Sequence, residues 1–271
     1  MFAFVDRVGG HVERNLRYTY NIFLLAYLSF RTTLLSSLQG WRTLFGVISA
    51  QIYFTGYQAL PLIGFLAIGT GALATFQAIM QMTYVGGVAY VGKSMIMIVV
   101  LEIAPLLTAI IVVARSGIAV ASELASMKVN KEVDALETMG INPLSYIVFP
   151  RIIGGVISVL CLAFYFALFA SVAGYLVCLF TKGIPLRLYL STVAQAVHMT
   201  DFLVFFLKNT MGGLIIFTVC CYEGLQVEKS PHEIPQVTTK AVVKSTVYIL
   251  IFNSLVTLYF YFDYLASWGV L

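Results

Sequence analysis

Charge is the scarcest property of this chain. Only 10% of its 271 residues are Asp, Glu, Lys or Arg, where a soluble domain carries about 25%. A soluble fold of this length could not cover its surface with so few charges, so lipid has to be the solvent for much of it. Histidine is rarer still. His11, His198 and His232 are scattered along the chain, and a metal site needs ligands that converge, so no metal is expected. The four cysteines, Cys161, Cys178, Cys220 and Cys221, all lie in apolar runs and show no metal-ligand spacing. They read as small hydrophobes and say nothing about redox compartment. A cleavable secretory signal is not expected either. It needs charge first and a clean apolar stretch after it, whereas Asp6, Arg7, His11, Glu13, Arg14 and Arg17 interrupt the apolar start. A Gly-x-Ser-x-Gly nucleophile elbow is also missing.

What the chain has instead is apolar length. Hydrophobic residues make up 60% of it, and its mean hydropathy is +0.93. A transmembrane helix takes about 20 apolar residues. Five stretches qualify, at about 52–76, 95–115, 152–180, 202–222 and 241–262. The expected fold class is therefore an all-α integral membrane protein. The first stretch has room to run longer, since 44–82 carries no charge, and its Gln51, Gln58, Gln77 and Gln81 favour ends or a polar interior face. The third should stop before Lys182-Gly183-Ile184-Pro185, a turn signal. Residues 1–43 differ in character. Val5, Val8, Val12 and Leu16 recur at helical spacing among Arg7, Glu13, Arg14 and Arg17. That pattern reads either as an amphipathic arm lying in the membrane interface or as a helix packed on the protein's own cytoplasmic side. The organisation expected is an N-terminal helical arm, 1–43, followed by a five-span domain, 44–271.

Lysine and arginine set the orientation. One side collects Arg7, Arg14, Arg17, Arg31 and Arg42, then Arg115, Lys128, Lys131 and Arg151, then Lys229, Lys240 and Lys244. The other has Lys93, Lys182 and Arg187, with Lys208 left inside the fourth span. The N-terminus is expected in the cytoplasm and the C-terminus outside.

The cytoplasmic segment 115–151 carries the most information. Asn130 is a suitable N-cap for a helix over 131–139, Glu132 and Asp134 sit in its first turn, and Gly140 and Pro143 end it. A helix of about 9 residues is too short to stand alone. Val133, Leu136 and Met139 form an apolar edge, while Glu132 and Glu137 point elsewhere. That edge rests on the membrane domain or docks into a soluble partner. Leading into it, Gly117, Ala121 and Ala125 form a small-xxx-small series that lets helices approach closely.

These residues carry a resemblance. The run Ala114-Arg115-Ser116-Gly117 through Glu123-Leu124, Met127-Lys128-Val129 and Glu132 to Pro143, ending Pro150-Arg151, resembles the MlaE/YrbE permease family. A second block, Cys221-Tyr222-Glu223-Gly224-Leu225 and Thr238-Thr239-Lys240-Ala241-Val242-Val243, agrees with it. The resemblance runs from about residue 44 onward, and the N-terminal arm matches only in character. It implies the membrane permease of an ABC-type transporter that moves phospholipid or a related lipid between the bacterial inner membrane and the cell envelope. It implies a homodimer, with the C-terminus in the periplasm. Two cytoplasmic ABC ATPase subunits would bind the helix at 131–139 as a coupling helix, and an MCE-domain protein would sit on the outer side. ATP and Mg would be bound by the ATPase and no cofactor by this chain. No nucleic acid is expected as a partner.

Charges within spans are the remaining candidates. A charge at mid-bilayer costs roughly 2.5–3.5 kcal/mol on insertion scales. Glu102, three residues before Pro105, and Lys208, seven after Asp201, are therefore expected to face a cavity or a partner. They form a structural pair, line a lipid pathway or snorkel to an interface. The resemblance sets them near a lipid cavity. It also marks two departures, Leu101 where some members carry Arg and Asn253 where some carry Asp, so that cavity should be less charged here. Arg115 and Glu123 either pair with the coupling helix or hold the loop, and Glu223 and Arg151 read as charges at the cytoplasmic edge. His198 and Asp201 read as an outer-rim pair or as nothing. Gly87-Val88-Ala89-Tyr90-Val91-Gly92-Lys93-Ser94 fits a phosphate-loop spacing. Such a loop joins a strand to a helix in a soluble domain, so the match reads as chance in a Gly-rich turn.

Two other functions compete with transport. A lipid-modifying membrane enzyme would need His, Asp or Ser side chains converging at one depth, and Glu102, Lys208 and His198 lie at apparently different depths. A channel or scaffold would need no ATPase at all. The reading favoured is a non-catalytic transport subunit.

Overall fold

The computed structural model describes the backbone of residues 2–35, 41–85, 95–227 and 230–267. Side chains are described for residue 13 and for 16–35, 44–81, 95–227 and 230–260. Among these residues the chain is helical with short connections and no strand. Helix α1 spans Phe2–Leu35, α2 Trp41–Thr55, and α3 Leu60–Val85 after a tight turn at Tyr57–Ala59. Helix α4 runs over Met95–Val129, with widened turns at Met95–Ile103 and Val113–Gly117. The short α5 covers Glu132–Thr138, and α6 runs over Leu144–Lys182. Helix α7 is Leu186–Ala196, α8 Met199–Gly224, and α9 Ile234–Ser267. Five helical stretches are long and apolar enough to cross a membrane: Leu44–Gln81, Met95–Val129, Leu144–Lys182, Met199–Gly224 and Pro231–Phe260. The protein is a multi-pass membrane protein of the all-α class, as its composition required.

Helix α6 is the axis of the bundle. At 39 residues it is about 58 Å long, roughly twice the hydrocarbon thickness, so it projects well beyond the membrane. It packs on α2, α3, α4 and α8. Small residues make this possible. A Cβ on Gly155 would lie 2.1 Å from the Phe217 ring, so α6 and α8 meet at a distance only glycine permits. Gly154, Ser158, Ala163, Ala170 and Gly174 continue the buried face of α6. The helix stops where the turn signal predicts. Gly183 takes φ +62 and donates its N–H to Leu179 O at 3.0 Å, and Pro185 follows.

One feature here differs from the sequence reading. Helix α7 lies between the third and fourth spans, in a stretch read only as a connection. Its apolar residues Leu186, Leu188 and Leu190 are exposed while Tyr189 is buried, an arrangement of an amphipathic helix at the membrane surface. The N-terminal arm is a single helix to Leu35 whose C-terminal half packs onto the bundle, the packing on the protein itself that its pattern left open. Ser29 and Thr33 are buried, and the Phe30 ring meets Phe149 edge-on at 5.2 Å. The Val5, Val8 and Val12 side chains lie outside the described residues, as does the phosphate-loop match at 87–94.

Candidate functional site

The deepest charge among the described residues is Lys208. It lies on α8 with a side chain that is 0% exposed, and its Nζ sits 2.8 Å from Glu102 Oε1. A primary ammonium has three hydrogens to place. Lys208 Nζ donates to Glu102 Oε1 at 2.8 Å, to Thr257 Oγ1 at 2.9 Å and to Leu101 O at 3.0 Å. The third acceptor follows from the sequence. Pro105 has no N–H to give to the carbonyl four residues back, which is that of Leu101. The lysine takes up an acceptor that a regular helix would have consumed. Thr257, on α9, closes the network. Its hydroxyl lies 2.9 Å from Glu102 Oε2 and 2.8 Å from Asn253 O.

This geometry realises one of the three alternatives, the structural pair. It also corrects the view that Glu102 and Lys208 lie at different depths, because helical rise along α4 and α8 brings them level. Lys208 has no free donor for a headgroup, and burial on every side prevents snorkelling. Glu102 is the open member, with its side chain 26% exposed. Leu101 and Asn253 join the network through their backbone carbonyls and not through their side chains. The Leu101 side chain is buried against a different cavity. Asn253 is buried, its amide donates to Ile249 O at 3.1 Å, and its Oδ1 is without a partner. A cavity of about 200 Å³ lies between α3 and α4, bordered by Thr75, Gln77, Gln81, Met95 and Ile103. Two of the span-one glutamines thus border a largely apolar cleft.

The second region is the turn around α5. Asn130 does not cap this helix. It ends α4, with its N–H on Ser126 O at 2.9 Å, and its amide reaches Glu132 Oε1 at 3.4 Å. Lys131, at φ 59, takes the cap position. The reason is that α4 persists to Val129, so the reversal falls one residue later. The C-terminal end follows expectation. Gly140 lies at φ +75, and the N–H groups of Ile141 and Gly140 bond Leu136 O and Glu137 O at 2.9 and 3.0 Å, a Schellman cap. Val133 is buried, Leu136 is half-buried against the core, and Met139 is 65% exposed. A step of three residues falls about 60° short of a full turn, so the apolar edge rotates from the protein at Val133 to solvent at Met139. Glu132 and Glu137 are exposed beside it. Lys128 holds α5 to the end of α4 through Asp134 at 2.8 Å. Gly117, Ala121 and Ala125 are all buried. The Ala121 carbonyl is so near α8 that a Cβ on Gly224 would lie 2.8 Å from it.

Neither Arg115 nor Glu123 pairs with α5. Arg115 donates to Gln58 Oε1 at 2.8 Å and sits over the Phe54 ring, and Glu123 pairs with Arg151 at 2.8 Å. Arg151 and Glu223 are buried, being only 8% and 2% exposed. The packing of α1 across the bundle end covers Glu223. Its Oε1 accepts from Lys244 Nζ at 2.8 Å and from Tyr18 Oη at 2.5 Å, and Lys244 Nζ stands 3.7 Å over the Tyr18 ring. Burial first, and then the Glu223 carboxylate, push the Tyr18 phenol well above its usual range. His198 and Asp201 form a cap for α8, with the His198 N–H donating to Asp201 Oδ2 at 2.9 Å. Among the described residues no three His, Cys, Asp or Glu side chains come together.

Thr257, Pro105 and Tyr18 were not singled out from the sequence. Pro105 carries a legible signal, since a proline four residues after Leu101 frees a carbonyl inside a span. Thr257 stands four residues after Asn253, on the same helical face. For Tyr18 no sequence signal exists, because its partner is 205 residues away.

Comparison with known proteins agrees with this architecture. Residues 48–259 match the family described as Permease MlaE. A protein of Rickettsia typhi named as a probable ABC transporter permease is 29% identical over 250 residues, covering 92% of this chain and 95% of its own length. A probable ABC transporter permease of Rickettsia prowazekii is 30% identical over 215 residues, 79% of this chain and 83% of its own. One from the cyanobacterium Synechocystis is 28% identical over 204 residues, 75% and 77% respectively. The chain belongs to the MlaE permease family.

Proposed function

We propose that this chain is the membrane subunit of an ABC-type transporter that moves phospholipid or a related lipid between the bacterial inner membrane and the cell envelope. Two copies form the permease, two cytoplasmic ATPase subunits bind ATP and Mg and drive it, and an MCE-domain protein on the outer side exchanges the lipid. The chain itself carries no catalytic residues, and its termini lie in the cytoplasm and the periplasm respectively.

The observation that carries the reading is the construction of α5. It is capped at its C-terminus, tied to α4 by Lys128–Asp134, and seated on Val133. Its outward face offers Glu132, Glu137 and Met139. A seven-residue helix held this firmly, with acids and a flexible thioether facing away from the protein, suits docking into a groove of a soluble partner. Family membership supports the same assignment. ATP binding closes the ATPases and displaces α5. The displacement passes through Gly117, Ala121 and Ala125, where α4 is packed too closely on α8 to absorb it by sliding. The cleft between α3 and α4 then changes shape, and a lipid held there loses chain contacts. Glu102, the open member of its pair, meets the headgroup, while Lys208 supplies the compensating charge from behind.

Purification of the tagged chain in mild detergent should recover an ATPase, an MCE-domain protein and bound phospholipid. In vesicles reconstituted with those partners, E137K and M139D should each cut ATP-driven lipid transfer by about tenfold, as losing one interface anchor does to affinity. Both residues are exposed, so insertion is unaffected. Undiminished transfer in both variants would sink the coupling assignment. Recovery of the chain alone in several detergents would sink the transporter reading.

A further inference from the structure

A cavity of about 440 Å³ lies between α4, α6, α7 and α8, on the far side of Leu101 from the lysine network. Its floor is buried: Ile96, Leu101, Tyr189 and Phe205 are 5–7% exposed. Its mouth is open: Leu168, Leu190 and Phe202 are 52–53% exposed. The cavity therefore runs from the outer surface of the bundle inward. The volume falls in the range of ligand pockets, about 300–1,000 Å³.

The walls exclude a polar ligand. The Tyr189 hydroxyl already donates to Ser171 O at 3.1 Å, and burial pushes its phenol up to about 12, so it stays a protonated donor with its hydrogen committed. The one carboxylate, Asp201, is engaged by the His198 N–H. No charged group is left to meet a headgroup inside. What bathes the mouth is settled by the spans on either side of it. Helices α4, α6 and α8 cross the membrane, and the exposed leucines of α7 lie at its surface. A cavity with apolar walls that opens into hydrocarbon is filled by hydrocarbon.

We infer that this cavity binds one acyl chain of a membrane lipid from the leaflet at the α7 end, as a site separate from the Glu102–Lys208 centre. The headgroup stays outside at α7, where Arg187 is exposed. The chain reaches as far as Leu101, whose carbonyl holds Lys208, so occupancy of this site and the geometry of the charged centre share one residue. The inference requires only that the bundle lies in a bilayer, and it holds whether or not lipid is the transported cargo.

The test uses the full chain in vesicles of phosphatidylethanolamine and phosphatidylglycerol containing a phosphatidylcholine with a diazirine partway along one acyl chain. Irradiation and peptide mapping should find adducts on the floor residues Ile96, Leu101 and Phe205, which lipid merely surrounding the protein cannot touch. Leu62 and Phe65, exposed on α3, report that surrounding lipid and confirm insertion. A167W fills the cavity from α6, and L168W obstructs its mouth. Each should lower floor labelling by about tenfold, because a filled cavity cannot admit the chain, and leave Leu62 and Phe65 labelling unchanged. Adducts confined to exposed positions would overturn the site. So would floor labelling that survives in L168W and A167W alike.

Discussion

The protein holds two acid–lysine centres along α8 and α9, and they are built in opposite senses. In the membrane, Lys208 is sunk completely and Glu102 keeps 26% of its side chain open. At the end of the bundle beneath α1, Glu223 is sunk to 3% and Lys244 keeps 39% open. Each buried ion is held by its surroundings: Lys208 gives its three N–H groups to Glu102, Thr257 and the Leu101 carbonyl, and Glu223 Oε1 accepts from Lys244 and Tyr18. A buried ion without its partner is costly, whereas a partly exposed one finds water or gains or loses a proton. The open member is therefore the one able to respond to what enters from outside. That member is the acid in the membrane pair and the lysine beside the N-terminal helix. One centre leaves an acid open among the spans, and the other clamps α1 onto the ends of α8 and α9.

The comparison can be broken by asking which deletion hurts more at each end. The largest effect should come from E102L, which strands the fully buried Lys208 and costs about 3–5 kcal/mol, read as a fall in thermal midpoint in detergent. K208M should cost less, since Glu102 can reach water, and the E102L/K208M pair should recover most of the loss. An E102L variant as stable as wild type would mean that Lys208 is not held as described. At the other end the order reverses. K244M strands Glu223 and should cost about 2 kcal/mol, and E223Q less than K244M. Hydrogen exchange of the α1 amides near Tyr18 reads the loosening, and equal effects of the two variants would erase the contrast. T257V removes a hydroxyl that serves both members of the membrane pair and should cost about 1 kcal/mol, with a larger share lost in wild type than in the E102L/K208M background. The smallest change is expected for Y18F, about 0.5–1.5 kcal/mol. It should vanish when Glu223 is already Gln, and an undiminished effect there would remove Tyr18 from the clamp.

The membrane fold was open to sequence reasoning because burial in lipid is written in runs of apolar residues, and each run reports on itself. The end of α6 at Gly183 and the stop of α5 at Gly140 were equally local, each being a backbone conformation only glycine takes readily. Helix α7 escaped notice because eleven residues with one arginine resemble a connection unless the surface they lie on is known. Asn130 misled for a related reason. A capping residue serves the helix before it as well as the one after, and only the persistence of α4 to Val129 decides which.

The sequence by itself determined that the chain lives in a bilayer, how many times it crosses, and that Glu102 and Lys208 need partners, because desolvating a charge is costly in any arrangement. Which partners they take was decided by tertiary structure alone. Lys208 meets residues 106, 107 and 49 positions away, and Tyr18 meets Glu223 across 205. Helical periodicity says which face a residue occupies but not which helix lies against that face. That choice rests on the small residues of α4, α6 and α8, which set how closely the helices approach and so which side chains share a depth.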